Sequence, residues 1–234
     1  MTPIAPRIGL ALSGGGDSTA LLLALREAAP ELALFTYTVD HALRPDSARE
    51  ARAAAAMAER AGASARILTW PDPRPGQNQA RRARHRLLAE ACRADGVEIL
   101  CLAHTLDDRI ETLRMRAARP GPDTRLAGPG PIDPSPAWPE GRGLTLARPF
   151  LGLTRGALRR YLALRGASWI EDPTNADPAY ERVRLRQAPL SEAARRRLLA
   201  DSDAARAGLE ADRRRAAALI GAAVGLDAWG GARI

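Results

Sequence analysis

The 234-residue sequence contains no lysine; all 35 of its basic residues are arginine. A Walker-type phosphate loop depends on a lysine, so any glycine-rich loop here must hold phosphate in another way. Only two cysteines occur, Cys92 and Cys101, with no C-x-x-C pair. A disulfide framework and a cysteine-ligated metal site are both disfavoured by that spacing. No apolar run is long enough to cross a bilayer, and Met1–Arg7 lacks the form of a signal peptide, so a cytoplasmic location is expected. No internal repeat is present. Against the 35 arginines stand 27 acidic residues, a formal charge of +8. Two readings of that charge stay open: the arginine bias of a GC-rich genome, and a polyanionic partner such as nucleic acid. The length suits one large domain, or one domain with a small appendage.

Short apolar runs alternate with Ala/Leu/Arg-rich helical patterns over the first two-thirds of the chain, which predicts a parallel α/β sheet. Strands are expected over Ile8–Leu12, Leu32–Val39, Ala65–Trp70 and Ile99–Ala103. Helices are expected from about Ser18 to Glu27, Asp46 to Ala61, Gln79 to Ala94 and Thr105 to Ala118. The third of these helices carries Ala80, Ala83, Leu87, Leu88 and Ala91 on one face. The segment from Arg119 to Arg142 is crowded with Pro and Gly and reads as a mobile lid, a disordered loop or a plain insertion. A short strand near Leu144–Arg148, a helix from about Thr154 to Arg165 and a helical Arg/Ala-rich stretch from Ser191 to about Ala223 follow.

Parallel sheets bind ligands at the carboxyl ends of their strands, and the chemically useful residues fall there. The first strand runs into Ser13-Gly14-Gly15-Gly16-Asp17-Ser18-Thr19. Successive glycines let backbone N–H groups converge, and the following helix adds its positive end, so a phosphate or pyrophosphate is the natural occupant; a tight turn without a ligand is the alternative. The second strand ends at Asp40-His41, where a turn or a cap is an equal reading. After the fourth strand, His104, Asp107, Asp108 and Glu111 share one helical face. Three carboxylates on one face call for a cation, either Mg²⁺ or a substrate ammonium; a solvated acidic helix start is the alternative. Arg81 and Arg84 lie one turn apart on the third helix and are able to grip phosphate, or simply to form an exposed basic face.

Taken in order, these elements resemble the ATP pyrophosphatase-loop enzymes and, within them, the tRNA(Ile)-lysidine synthetase family. The loop is similar to the family's Ser-Gly-Gly-x-Asp-Ser. Val39-Asp40-His41-Ala42-Leu43-Arg44-Pro45-Asp46-Ser47 resembles its second motif. Ala103-His104-Thr105-Leu106-Asp107-Asp108-Arg109-Ile110-Glu111-Thr112 resembles Ala-His-His-x-Asp-Asp-Gln-x-Glu-Thr, and Ala80-Arg81-Arg82-Ala83-Arg84 its arginine helix. Arg148-Pro149-Phe150-Leu151, Glu171-Asp172-Pro173-Thr174-Asn175 and Arg182-Val183-Arg184-Leu185-Arg186 are similar to three later signatures. The resemblance implies a Rossmann-like, adenine nucleotide α-hydrolase-like sheet. It implies ATP and Mg²⁺ as cofactors, with ATP split to AMP and pyrophosphate. The wobble cytidine of tRNA(Ile) with a CAU anticodon would be adenylated at C2 and then attacked by the ε-amine of L-lysine. It assigns ATP binding to Ser13, Gly14, Gly15, Gly16, Asp17, Ser18, Thr19, Arg81 and Arg84. Catalysis falls to Asp17, Asp40, His104, Asp108 and Glu111, and Mg²⁺ to Asp40, Asp107 and Asp108. No membrane is expected among the partners, and a homodimer is an open expectation.

Departures from the family pattern are Thr105 for His, Arg109 for Gln, His85 for Tyr and Val183 for Asn. A Pro-rich stretch replaces a Gly-Ser-Gly lid. The expected division is a catalytic domain over 1–188 and a helical extension over 189–234, without the C-terminal tRNA-binding domains that follow in the family. Three rivals remain: a thiolating sister enzyme with a cysteine-bound iron–sulfur cluster, a silent RNA-binding homologue, and a synthetase acting on a small metabolite.

Overall fold

A computed structural model describes residues 6–42, 45–73, 76–171, 181–223, 225–226 and 232–233. It divides into two compact units: Met1–Asp108 with Pro131–Asp177, and Arg109–Gly130 with Pro178–Ile234.

The first unit is built on a six-stranded sheet. In chain order its elements are β1 (Arg7–Ala11), α1 (Gly16–Ala28), β2 (Ala33–Asp40), α2 (Ser47–Arg60), β3 (Ser64–Thr69), α3 (Gln77–Ala94) and β4 (Ile99–Cys101). The first turn of α4 (Leu106–Ala117), β5 (Ile132–Pro134), β6 (Thr145–Ala147) and α5 (Arg155–Leu164) complete it. The strand order is β3-β2-β1-β4-β6-β5, parallel throughout except for β5. The period-2 alternation of β1 puts Leu10 and Leu12 into one core with α1, α2 and α5, through Leu21, Leu22, Ala54, Ala58, Leu158 and Leu162. Ala11 faces the other core, under α3, with Tyr37, Leu88, Cys92 and Leu100. Helices therefore cover both faces, as a parallel sheet requires. The chain winds outward from β1 to β3 and then returns to place β4 on the other side of β1. That reversal opens a crevice at the carboxyl ends of β1 and β4.

The segment from Arg119 to Arg142 differs from the lid or disordered loop expected of it. It forms a 3-10 turn at Asp123–Ala127 and the antiparallel edge strand β5, with the Ser135 N–H donating to the Leu144 carbonyl at 2.9 Å. Pairing to β6 gives the β5 backbone its hydrogen-bond partners, which composition alone does not reveal. In the second unit α4 continues from Arg109 and is joined by α6 (Glu181–Gln187), α7 (Glu192–Ala223) and the short pair β7 (Gly225–Leu226) and β8 (Ala232–Arg233). Leu113 and Ser202 are fully buried there, and Arg109 pairs with Asp203.

Candidate active site

The glycine loop sits at the end of β1 and opens α1. Gly14 adopts φ +79°, and a Cβ added to it would lie 2.5 Å from the Ile170 Cδ1. The Ile170 N–H donates to the Gly14 carbonyl at 2.9 Å, so the strip Trp169–Ile170 buttresses the loop from outside. The loop hydroxyls turn inward. Ser18 Oγ lies 3.1 Å from Ser13 Oγ and donates to the Gly15 carbonyl at 3.0 Å, while Thr19 Oγ1 donates to the Gly14 carbonyl at 3.1 Å. Ser18 and Thr19 are buried and hold the loop's shape. No side chain caps α1 at Gly15, which leaves the first backbone N–H groups of the helix as an anion-binding end.

Asp17 lies in the first turn of α1, and its carboxylate meets Arg155 Nε at 3.3 Å. The same guanidinium donates through Nη2 to Asp108 Oδ1, and the Arg155 N–H donates to Asp107 Oδ2 at 2.8 Å. One arginine at the start of α5 thus gathers three acids that the sequence scatters. Burial raises the Asp17 carboxyl above its ordinary range; Arg155 opposes this and the Asp108 charge adds to it. Asp108 goes the other way: burial alone would raise it, but Arg155 and the Thr105 N–H and hydroxyl together hold it below the ordinary range.

Thr105 accounts for one departure in the third motif. Its N–H and its hydroxyl both donate to Asp108 Oδ2 at 2.8 Å, and the Asp108 N–H donates back to Thr105 Oγ1 at 3.4 Å. This is a capping box with Asp in place of Glu, and it fixes the Asp108 rotamer as α4 begins.

Asp40 ends β2, next to β1, and accepts the Ala42 N–H at 2.8 Å; Ala42 is held at φ +51°. His41 lies edge-on to Trp70 with ring centroids 6.2 Å apart. His104 follows β4. Its Nδ1 accepts from Arg148 Nε at 3.1 Å, and Arg148 Nη1 donates to Asp133 Oδ2 at 2.7 Å. Burial first, then the charges of Arg84, Arg148 and Arg81, push the His104 ring down to about 3, with Asp108 opposing. His85, on α3, is pushed down to about 4 by burial and by Arg81, Arg84 and Arg148. Arg81 and Arg84 therefore act on the same edge of the sheet as His104. Glu111, one turn further along α4, belongs to the second unit; it is buried, and its Oε1 accepts from Arg186 Nε at 2.9 Å.

The first unit so brings Asp17, Asp107 and Asp108 onto Arg155, and sets His104, Arg81 and Arg84 within electrostatic reach of one another. Arg155, Asp133 and the Trp169–Ile170 strip carry no local signal that marks them for the site. The Thr-x-x-Asp spacing at Thr105 is a readable cap signature. Leu43 and Arg44 of the second motif and Asp172–Asn175 of a later signature lie outside the described residues.

For Mg²⁺ the expected set is Asp40, Asp107 and Asp108; of these, Asp108 meets Arg155 through its side chain, Asp107 accepts the Arg155 N–H, and Asp40 accepts the Ala42 N–H. Among the described residues no three His, Cys, Asp or Glu side chains gather as a ready-made cage. Asp17 and Asp108 nevertheless converge on one cation, the guanidinium, and Mg²⁺ in nucleotide sites commonly takes one or two carboxylates with phosphate oxygens completing the shell. Among the described residues no helix is long and apolar enough to cross a membrane.

Comparison with known proteins agrees with this geometry. A PP-loop domain family of ATP-binding proteins matches residues 3–193. The tRNA(Ile)-lysidine synthase of Hyphomonas neptunium is 44% identical over 182 residues, covering 77% of this chain and 50% of that protein. That of Rhizobium meliloti is 44% identical over 192 residues, covering 77% and 42%. That of Brucella melitensis biotype 2 is 38% identical over 231 residues, covering 94% and 50%. The chain spans about half the length of the curated relatives it matches. Among solved structures, the U34-tRNA thiolase NcsA of Methanococcus maripaludis with its [4Fe-4S] cluster shares the fold at a TM-score of 0.68 and 16% identity, over 88% of this chain and 71% of that one. The motifs, the sheet order and the family match agree, and the chain belongs to the PP-loop domain family.

Proposed function

We propose that this chain carries the catalytic domain of a tRNA(Ile)-lysidine synthase. ATP adenylates C2 of the wobble cytidine in tRNA(Ile) with a CAU anticodon and releases pyrophosphate. The ε-amine of L-lysine then displaces AMP. The observation that carries this reading is the convergence of an uncapped helix end, Asp17 and Asp108 at the β1/β4 crevice, in a chain 44% identical to proteins of that name. Adenylation turns a carbonyl oxygen into a leaving group, so the protein has mainly to position its substrates and neutralise charge. The loop N–H groups suit the departing pyrophosphate. Asp17 and Asp108, with Asp40 or Asp107 as further donors, would hold Mg²⁺, which supplies charge neutralisation on the phosphates when bound. A single-stranded anticodon loop is able to offer its base to such a pocket.

Asp40, Asp108 and Glu111 are proposed to receive the lysine ammonium. A catalytic domain over 1–188, a helical extension over 189–234, a homodimer and a cytoplasmic location complete the proposal. Thiolation is less well supported, because burial pushes the Cys92 thiol up to about 12 and the Cys101 thiol up to about 11, and the two sit in separate cores. The test is mass spectrometry of nucleosides after incubation of the chain with tRNA(Ile), ATP, Mg²⁺ and L-lysine. Lysidine is the expected product; thiocytidine or unmodified cytidine overturns the reading.

A further inference from the structure

His104 has two ring nitrogens, and its surroundings dictate which one carries the proton. Nδ1 accepts from Arg148 Nε at 3.1 Å. A guanidinium only donates and stays protonated, so Nδ1 must present its lone pair. A neutral imidazole arranged in this way carries its hydrogen on Nε2. Arg148 is itself fixed: it is buried, Nη1 donates to Asp133 Oδ2 at 2.7 Å, and its N–H donates to the Pro131 carbonyl at 2.7 Å. The line Asp133–Arg148–His104 runs across the β5, β6 and β4 edge of the sheet and ends at the crevice. Burial and the neighbouring arginines keep the ring neutral. His104 remains partly exposed, and among the described residues Nε2 has no protein partner.

We propose that Asp133 and Arg148 lock His104 as the Nε2–H tautomer, so that it donates a hydrogen bond to a phosphoryl oxygen of the bound nucleotide and does not act as a base. This rests on the nucleotide-activating reading above. A phosphoryl oxygen is the partner because Arg148 is bonded to the ring and the charges of Arg84 and Arg81 also act on it, against the one opposing charge of Asp108, a balance that favours an anion at its open nitrogen. Abstracting a proton would need a lone pair on Nε2, which this tautomer lacks. A neutral donor held in place instead meets the charge that builds on phosphoryl oxygen with no proton transfer and no reorganisation. His104 then contacts substrate, whereas Arg148 and Asp133 are positioning residues.

The chain has only three histidines, His41, His85 and His104, so long-range proton–nitrogen correlation spectra of nitrogen-15-labelled protein resolve each ring, with His104 assigned from His104→Gln. The wild type is expected to show His104 as Nε2–H at neutral pH, and a non-hydrolysable ATP analogue with Mg²⁺ should shift Nε2 far more than Nδ1. Arg148→Met should give a mixture of tautomers and lower the rate of AMP formation by roughly tenfold or more; His104→Ala should lower it by about a hundredfold or more. A wild-type Nδ1–H tautomer, an Nε2 signal unmoved by bound analogue, or an unmixed Nε2–H tautomer in Arg148→Met overturns the proposal. If Arg148→Met unfolds, seen as collapse of the His41 and His85 signals, Asp133→Asn takes its place in the comparison. If the wild type shows the tautomer and the shift yet forms neither AMP nor lysidine, the proposed function fails and the His104 assignment stands.

Discussion

Arg155 Nε lies 3.3 Å from Asp17 Oδ2, 138 positions earlier in the chain, and its Nη2 meets Asp108. One guanidinium bridges two carboxylates beside the glycine loop, where the proposed function calls for a divalent cation. The three side chains are 18–26% exposed, so their attraction is neither fully screened nor fully buried.

Arg155→Met should therefore destabilise the chain by about 1–3 kcal/mol, the range for lost hydrogen bonds to charged groups. Mg²⁺ should restore part of that loss in the variant, and should raise the variant's melting temperature more than the wild type's. Thermal melts with and without Mg²⁺ check this. Equal Mg²⁺ responses would remove Asp17 and Asp108 from the metal assignment.

Gly14→Ala brings two costs together. It sets a Cβ on a residue at φ +79°, and the Cβ meets the Ile170 Cδ1. A left-handed alanine costs roughly 1–2 kcal/mol, and overpacking adds about 1–3 kcal/mol. Ile170→Val in the same chain should relieve the second cost and leave the first. Denaturant midpoints of the single and double variants separate the two; a double variant no more stable than Gly14→Ala alone would show that the strip yields without strain.

The sheet was legible in the sequence because period-2 and period-3.6 patterns are local, and apart from β5 the strands and helices from β1 to α5 fall within a few residues of their expected limits. The glycine loop and the acids after β4 were readable for the same reason: each is one short run at a strand end. Arg155, Asp133 and Ile170 were not. Their roles come from contacts spanning between 15 and 156 positions (Asp133 to Arg148, Gly14 to Ile170), and nothing in their own neighbourhoods distinguishes them from surface or core residues. Edge strand β5 was missed because Pro and Gly dominate its segment, and one antiparallel pairing to β6 outweighs that composition.

Histidine burial makes stability pH-dependent in a definite direction. His85 and His104 are held down to about 4 and about 3, so the native state refuses protons that the unfolded chain accepts near its ordinary range, about 6.5. Stability is then full above about pH 6.5 and falls as the pH drops towards 4, by up to about 1.4 kcal/mol per unit for each ring. Asp17, whose carboxyl is raised, works in the opposite sense. His85→Gln should remove one ring's share. Urea unfolding at pH 7, 6, 5 and 4.5 measures both slopes, and identical slopes would mean that His85 protonates freely in the native state.

Glu111 carries the sharpest test of the lysine site. It is buried, and its Oε1 receives Arg186 Nε at 2.9 Å. Arg186 is itself about one-third exposed, which moderates the loss of the pair to about 1–3 kcal/mol of stability. The charge has a second use in the proposed reaction. Lysine arrives as an ammonium, yet its ε-amine must be neutral to attack, so a nearby carboxylate is needed first to hold the cation and then to accept or relay its proton. Glu111→Gln keeps the shape and removes that charge. The apparent lysine requirement should rise by roughly tenfold or more, the size of a lost charge-assisted hydrogen bond, while the ATP requirement changes little. Steady-state titrations of lysine and ATP, together with the adenylation half-reaction run without lysine, give all three quantities on one preparation. If the half-reaction collapses and the lysine affinity holds, Glu111 serves the metal or the fold, and lysine binds elsewhere.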